Sequence, residues 1–270
     1  MEASVLSGMY ASSNEGIALS GDVGVTTKMY TKTTTIGRTG DTVTLPRSTP
    51  NTTEVREPDL VIDYDKDEAY YKTILGFDTP KAMAEAFTSD YANMISSIKK
   101  YGGFYIGRYE LSNEGVQKEK AALTNKNWYE LYKKCTTLNA SDKVGSKMIW
   151  GIQWDLACDF ISKKGDKKKI TDSRSWGNYS DSTSLANTGN YEKGEKKDTG
   201  SNETWKANNI YDIAGNCYEW TQEAVSTFRR AIRGGFYNIS GSVIPASYLG
   251  YSGPISSSSD NLRFSSHFNN

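Results

Sequence analysis

Histidine is almost missing from this 270-residue chain. His267 alone leaves no material for a metal centre built on several imidazoles and argues against a Ser-His-Asp triad. Cysteine is scarce too. Cys135, Cys158 and Cys217 are widely spaced and odd in number, so they fit neither a disulfide framework nor a CxxC metal pattern. They read as small buried hydrophobes of a protein made in a reducing cytosol. There is no net charge, with 32 basic and 32 acidic residues, so no global field favours nucleic acid or an anionic membrane. No stretch is apolar for long enough to insert into a membrane, and the opening MEASVLSGMY is too polar for a secretory signal. Any partner is therefore held by local shape and hydrogen bonding.

What the chain does have is aromatic rings, with 18 Tyr and 6 Trp. These amphipathic side chains serve a core or a contact surface at low entropic cost. Residues 1–58 are rich in Thr, Ser and Gly and read as short strands (Val23-Gly24-Val25, Thr42-Val43-Thr44-Leu45) or an extended arm, ending in a proline-containing linker over 47–59. Residues 59–270 read as one domain. The spacing of Met83, Phe87, Tyr91, Met94 and Ile98 predicts a helix opened by Thr79-Pro80 and running to about Lys100. A second helix is capped by Asn125 or Asn127 and carries Trp128, Leu131, Tyr132 and Cys135 on one side. A third runs from about Gln153 to Lys163. Residues 103–109 alternate as a strand, and Lys147-Met148-Ile149-Trp150 forms a shorter one. Residues 163–209 are polar and rich in Asn and Gly. Their lysine run reads as a solvated loop rather than a nucleic-acid site, and a loop of this length is functional or held by something else.

Four segments in order resemble the formylglycine-generating-enzyme (sulfatase-modifying) family. They are Gly103-Phe104-Tyr105-Ile106-Gly107-Arg108-Tyr109-Glu110; Met148-Ile149-Trp150-Gly151-Ile152-Gln153-Trp154-Asp155; Asn209-Ile210-Tyr211-Asp212-Ile213-Ala214-Gly215-Asn216-Cys217-Tyr218-Glu219-Trp220; and Arg233-Gly234-Gly235. The resemblance implies an α+β, C-type-lectin-like fold of that subclass, with small twisted sheets, flanking helices and much irregular loop. It also implies a structural calcium ion at the third segment, held by side-chain oxygens of Asp212 and Glu219 and carbonyls of Gly215 and Cys217, hard ligands of the type calcium prefers. The alternative is a metal-free turn in which Asp212 caps backbone amides. On either view no cofactor is required for binding. Gly215 suits a turn with positive φ, and Tyr218 and Trp220 are placed to anchor the segment that follows.

The resemblance does not extend to catalysis. The family's oxidase holds copper with two thiolates, which by position would fall at Ile239 and Ile244, and neither binds a metal. A branch of the family that uses iron needs more histidines than His267. The chain is thus expected not to be an enzyme. The closing Leu262-Arg263-Phe264-Ser265 departs from the family's usual Leu-Gly-Phe-Arg and leaves the last strand's register open.

One more absence points the other way. From Ala224 to Asn270 there is no Lys, Glu, Gln, Met or Trp. Those are the residue types that codons ending in C or T cannot encode, so randomised adenines in AAC or AAT codons would leave this repertoire. Such composition resembles the variable proteins of diversity-generating retroelements, many of which use this scaffold. The competing explanation is a Ser-rich loop region of biased composition. Arg233-Gly234-Gly235, Gly241-Ser242, Pro245-Ala246-Ser247 and Pro254 read as turn and packing positions. Between them, Phe236, Asn238, Ile239, Val243, Ile244, Tyr248, Gly250, Tyr251, Ser252, Ile255, Ser256, Ser258 and Asn261 resemble a paratope. The expectation is a binding protein with a variable segment at about 224–268. Its ligand would be a protein or glycan on a host or target surface, with no nucleic acid and no membrane insertion. It would be displayed on a phage tail or a cell surface. A structural phage component without diversification and, last, a sulfatase-modifying oxidase are the alternatives.

Overall fold

In a computed structural model the chain is mixed α and β, with small antiparallel sheets. The structure describes residues 3–5 and 68–268, apart from 102, 139–143, 164, 167, 185–192, 227–228 and 257–263. The Thr-rich strands and the linker expected before residue 60 lie outside the described residues, except for Ala3–Val5, which form strand β1.

Three helices follow the local signals. Helix α1, Pro80–Tyr101, starts where the Thr79 hydroxyl accepts the Ala82 amide at 3.1 Å. Proline at the first helical position gives up an amide that had no partner there. Its stripe of Met83, Phe87, Tyr91, Met94 and Ile98 is buried. Helix α2, Trp128–Thr136, is capped by Asn127, not Asn125. Asn127 Oδ1 accepts the Glu130 amide and Glu130 Oε2 accepts the Asn127 amide, each at 3.0 Å. This reciprocal capping box satisfies two amides that the helix start leaves open. Helix α3, Gly151–Lys163, begins two residues before the expected Gln153. Gln153 Oε1 instead accepts the Trp150 amide at 2.9 Å. Gly151 fits the first turn because any β-carbon there would collide with the Glu223 side chain.

The larger sheet has the order β1-β2-β11-β5, all antiparallel, with β2 at Tyr105–Gly107, β5 at Val144–Met148 and β11 at Phe264–Phe268. Strand β2 is shorter than residues 103–109, and β5 lies upstream of the expected Lys147–Trp150 because Ile149 and Trp150 lead into α3. The register left open by the sequence is settled: Ser265 lies opposite Ile106 on one side and opposite Lys147 on the other. The second sheet has the order β10-β9-β8, with β8 at Glu219–Ser226, β9 at Arg229–Arg233 and β10 at Leu249–Ser252. Two short hairpins complete the fold, β3 (Leu111–Ser112) with β4 (Gly115–Val116) and β6 (Lys206–Ala207) with β7 (Ile210–Tyr211).

The core gathers Trp128, Trp154, Trp176 and Trp220 with α1 and α3. Two arginines of β9 are fully buried within it. Arg233 pairs with Asp155 of α3, and the Arg230 guanidinium lies 4.1 Å from the Trp128 ring centroid and donates to the Gln222 carbonyl at 2.7 Å. Buried charge is retained only when so paired. These contacts fix β9, and with it the start of the segment that follows.

Candidate binding face

Residues 234–248, between β9 and β10, hold Phe236, Asn238, Ile239, Val243, Ile244 and Tyr248 of the expected contact positions. Gly234 and Gly235 open the loop with φ of 87° and 90°, values that favour glycine. A β-carbon on Gly235 would run into the Ile244 carbonyl and the Tyr179 ring. The loop is then tied down by groups outside it. Gly234 O accepts the Gly215 amide at 2.7 Å and the Tyr179 hydroxyl at 3.0 Å. The Asn216 carbonyl accepts the Tyr237 amide at 3.1 Å, and the Ile239 carbonyl accepts the Ser180 amide at 3.2 Å. Asp181 accepts the Ser240 hydroxyl at 2.6 Å and the Gly241 amide at 2.9 Å. Ser173 donates its amide to Gly241 O at 2.9 Å and accepts the Ala246 amide at 3.0 Å. Trp154 Nε1 donates to Ala246 O at 2.9 Å. Most of these bonds involve the loop's backbone, so they do not depend on which side chains stand at Asn238, Ile239, Ser242 or Val243.

Those four side chains are exposed. Among the described residues the large hydrophobics that face solvent are Ile239, Val243, Tyr251 and Ile255, two in this loop and two in or after β10. Val243 is 65% exposed and Tyr251 52%. Ser256 is exposed as well, while Ser252 and Tyr248 are half-buried. Three expected contact residues are not on the surface. Phe236 is buried because its ring stacks on Tyr218 at 5.2 Å and 8°. Ile244 is buried in the core below the loop. Gly250 is closed over by the Tyr248 ring and Ile232, which leave no space for a β-carbon. Of the two positions that would have held copper, Ile239 is thus outside and Ile244 inside. Ser258 and Asn261 lie outside the described residues.

The sequence reading missed two members of this face. Tyr237 is half-buried beside Phe236, with ring centroids 4.2 Å apart. Tyr218 precedes the compositionally biased segment but is only partly buried, between Phe236 and Tyr248. For Tyr237, its place in the chain next to Phe236 was the available signal. The polar supports Ser173, Asn178, Tyr179 and Asp181 carry no sequence signal. They come from the long polar loop, which is the underside of this face. That loop is closed at its base by Asp166 and Asn208, each amide bonded to the other's side chain at 3.1 and 2.8 Å.

The Asp212–Glu219 turn holds the loop from behind. Asp212, Gly215 and Asn216 have positive φ, and Gly215 approaches Asn178 so closely that a β-carbon would strike its carbonyl. Asn216 is buried and fully bonded. It donates to Glu110 Oε2 at 2.6 Å and Lys197 O at 3.1 Å, and accepts from Asn178 Nδ2 and the Lys197 amide, each at 3.0 Å. Asp212 Oδ2 accepts the Gly200 amide at 2.8 Å and the Thr199 hydroxyl at 2.9 Å. That is the amide-capping role, and among the described residues no group of three or more His, Cys, Asp and Glu is placed to hold a metal ion. Asp212, Gly215, Cys217 and Glu219, the residues to which the resemblance assigns calcium, all lie in this turn and are all buried.

All three cysteines are buried and unpaired. Burial pushes each thiol up, most simply for Cys135; at Cys217 the nearby Glu110, Asp212 and Glu219 carboxylates add to it. A buried thiol kept protonated is a poor nucleophile and a poor metal ligand. Among the described residues no helix is long and apolar enough to cross a membrane.

Neither a protein-family model nor a curated protein matches the chain. Among solved structures that do, one is Treponema denticola variable protein 1, at 16% identity and a TM-score of 0.36, over 60% of this chain and 84% of that one.

Proposed function

We propose that this chain is a non-catalytic binding protein of the formylglycine-generating-enzyme-like, C-type-lectin type, whose segment at about 224–268 is diversified and supplies the contact surface. One observation carries the reading: every large hydrophobic side chain exposed among the described residues stands on Ile239–Ile255, on backbone pinned from beneath. Exposed apolar groups on a rigid frame favour a partner, because burying them gains free energy while little conformational freedom is lost. The missing Lys, Glu, Gln, Met and Trp after Ala224 add support from the codon side. Burial and protonation of all three thiols support a role without redox chemistry. The protein requires no cofactor to bind, and it is displayed on a phage tail or cell surface.

Sequencing the gene in related isolates tests this. Substitutions are expected to cluster in codons ending in C or T at exposed positions such as Asn238, Ile239, Val243 and Tyr251, sparing Gly235 and Gly250. Substitutions spread evenly along the chain would sink the diversification reading.

A further inference from the structure

Tyr179, from the long polar loop, is wholly buried beneath the contact loop, and three glycines lie against its ring. A β-carbon on Gly235 would meet the ring's Cε1 and hydroxyl at 2.8 and 2.9 Å. One on Gly241 would meet Cδ2 and Cε2 at 2.6 and 2.9 Å, and one on Gly177 would strike Cε2. Carbon atoms in contact keep about 3.5–4.0 Å apart. The ring therefore fills the space that side chains at these positions would need.

The two glycines of the contact loop differ in what requires them. Gly235 has a φ of 90°, and its β-carbon would also run into the Ile244 carbonyl. Gly241 does not have a positive φ, and the three atoms nearest to its β-carbon position all belong to Tyr179. The ring is what requires glycine there. Tyr179 is itself held by groups outside the contact loop. Its amide donates to Ser182 Oγ at 2.7 Å, and its carbonyl accepts the Ser182 amide at 3.2 Å. The preceding Asn178 donates its amide to Ala214 O at 3.1 Å and accepts the Asn216 amide at 3.0 Å. A close-packed side chain fixed in this way does not yield to a new neighbour.

Building on the binding role above, we propose that Tyr179 is the positioning residue of the contact loop. Its ring sets the course of the backbone at Gly235 and Gly241, and so the direction in which Asn238, Ile239, Ser242 and Val243 are presented. It also removes position 241 from diversification. Glycine is among the residues that a randomised AAC or AAT codon yields, so composition does not separate a fixed Gly241 from a drawn one. The ring does.

Amide hydrogen exchange of the full chain, read by mass spectrometry, tests this. The amides of Tyr237, Ile239, Gly241, Val243, Ile244 and Ala246 are hydrogen-bonded, so peptides over 234–248 are protected while the loop keeps its course. Gly241→Ala is expected to speed their exchange at least about tenfold while peptides of α1 stay as in the wild type. Tyr179→Leu should also loosen the loop. Adding Gly241→Ala to Tyr179→Leu should change nothing further, whereas adding Gly235→Ala should still speed exchange, because the Ile244 carbonyl remains in its way. A Gly241→Ala effect equal in both backgrounds, or absent in the wild type, would overturn the role of Tyr179. A rise in α1 exchange as large as that of the loop in Gly241→Ala would do the same. If Tyr179→Leu does not fold, the displayed full chain with codons 239 and 241 randomised is selected for protease resistance. Glycine should then be retained at 241 while many residues pass at 239, and equal tolerance at the two positions overturns the proposal. Neither readout uses a ligand. Isolate sequences that fail to cluster would thus remove diversification and leave this coupling standing, and a failed coupling would leave diversification standing.

Discussion

Asp155 and Arg233 show what single residues contribute here. Both side chains are wholly buried and paired, and Arg233 is the last residue of β9 before the glycine pair. Removing one member leaves the other charge in a dry core, which costs about 3–5 kcal/mol. We therefore expect Asp155→Ala to lower the free energy of unfolding in urea by that amount, and Asp155→Ala combined with Arg233→Met to recover part of it. A loss in the double variant equal to the sum of the separate Asp155→Ala and Arg233→Met losses would show that the pair is not coupled. Residue-scale facts of this kind were partly legible. The Arg-Gly-Gly run and Gly215 stood out in sequence because positive φ restricts residue choice. That Asp155 is the partner of Arg233 did not, because they are far apart in the chain and only the packing of α3 on β9 joins them.

Secondary elements were legible to the extent that their causes are local. The stripe of α1 and the capping box of α2 are written within a few turns of chain. The sheets are not. Strand β11 pairs with β2 and β5 across most of the domain, and no short window contains that information. The loop over 234–248 is the intermediate case. Its composition marked it as a contact segment, yet which of its residues point outward depends on Tyr179, Ser173 and Asp181 beneath. Phe236 and Ile244 were assigned to the surface for that reason. The loop's backbone and its exposed side chains should respond differently to change. Gly235→Ala forces a β-carbon into the Ile244 carbonyl at a φ of 90°, so a loss of at least about 2 kcal/mol is expected in denaturant unfolding. Val243→Ser should shift stability by no more than about 0.5 kcal/mol. Comparable losses would mean that the loop is not a frame with replaceable side chains.

For the whole molecule, the third motif segment and the loop form one support. Asn216, Asn178 and Asp212 hold Gly215, and Gly215 holds Gly234. Asp212 Oδ2, from a side chain that the resemblance assigns to calcium, accepts the Gly200 amide and the Thr199 hydroxyl here. Melting temperature is accordingly expected to be the same with excess calcium and with a chelator, measured by thermal unfolding. A rise of several degrees with calcium would restore the ion.

The position of β11 has a further consequence. It enters between β2 and β5, after the loop over 234–248, so the larger sheet cannot be completed until the ribosome has read through that loop. A copy of the gene whose reading frame is lost anywhere in the loop makes a chain without β11, which leaves β5 unpaired, β2 paired only with β1, and the product open to proteolysis. Codons ending in C or T also never spell a stop. Folding thus acts as a proofreader: a chain that folds intact has, by the order of its strands, already shown that the loop was translated in frame.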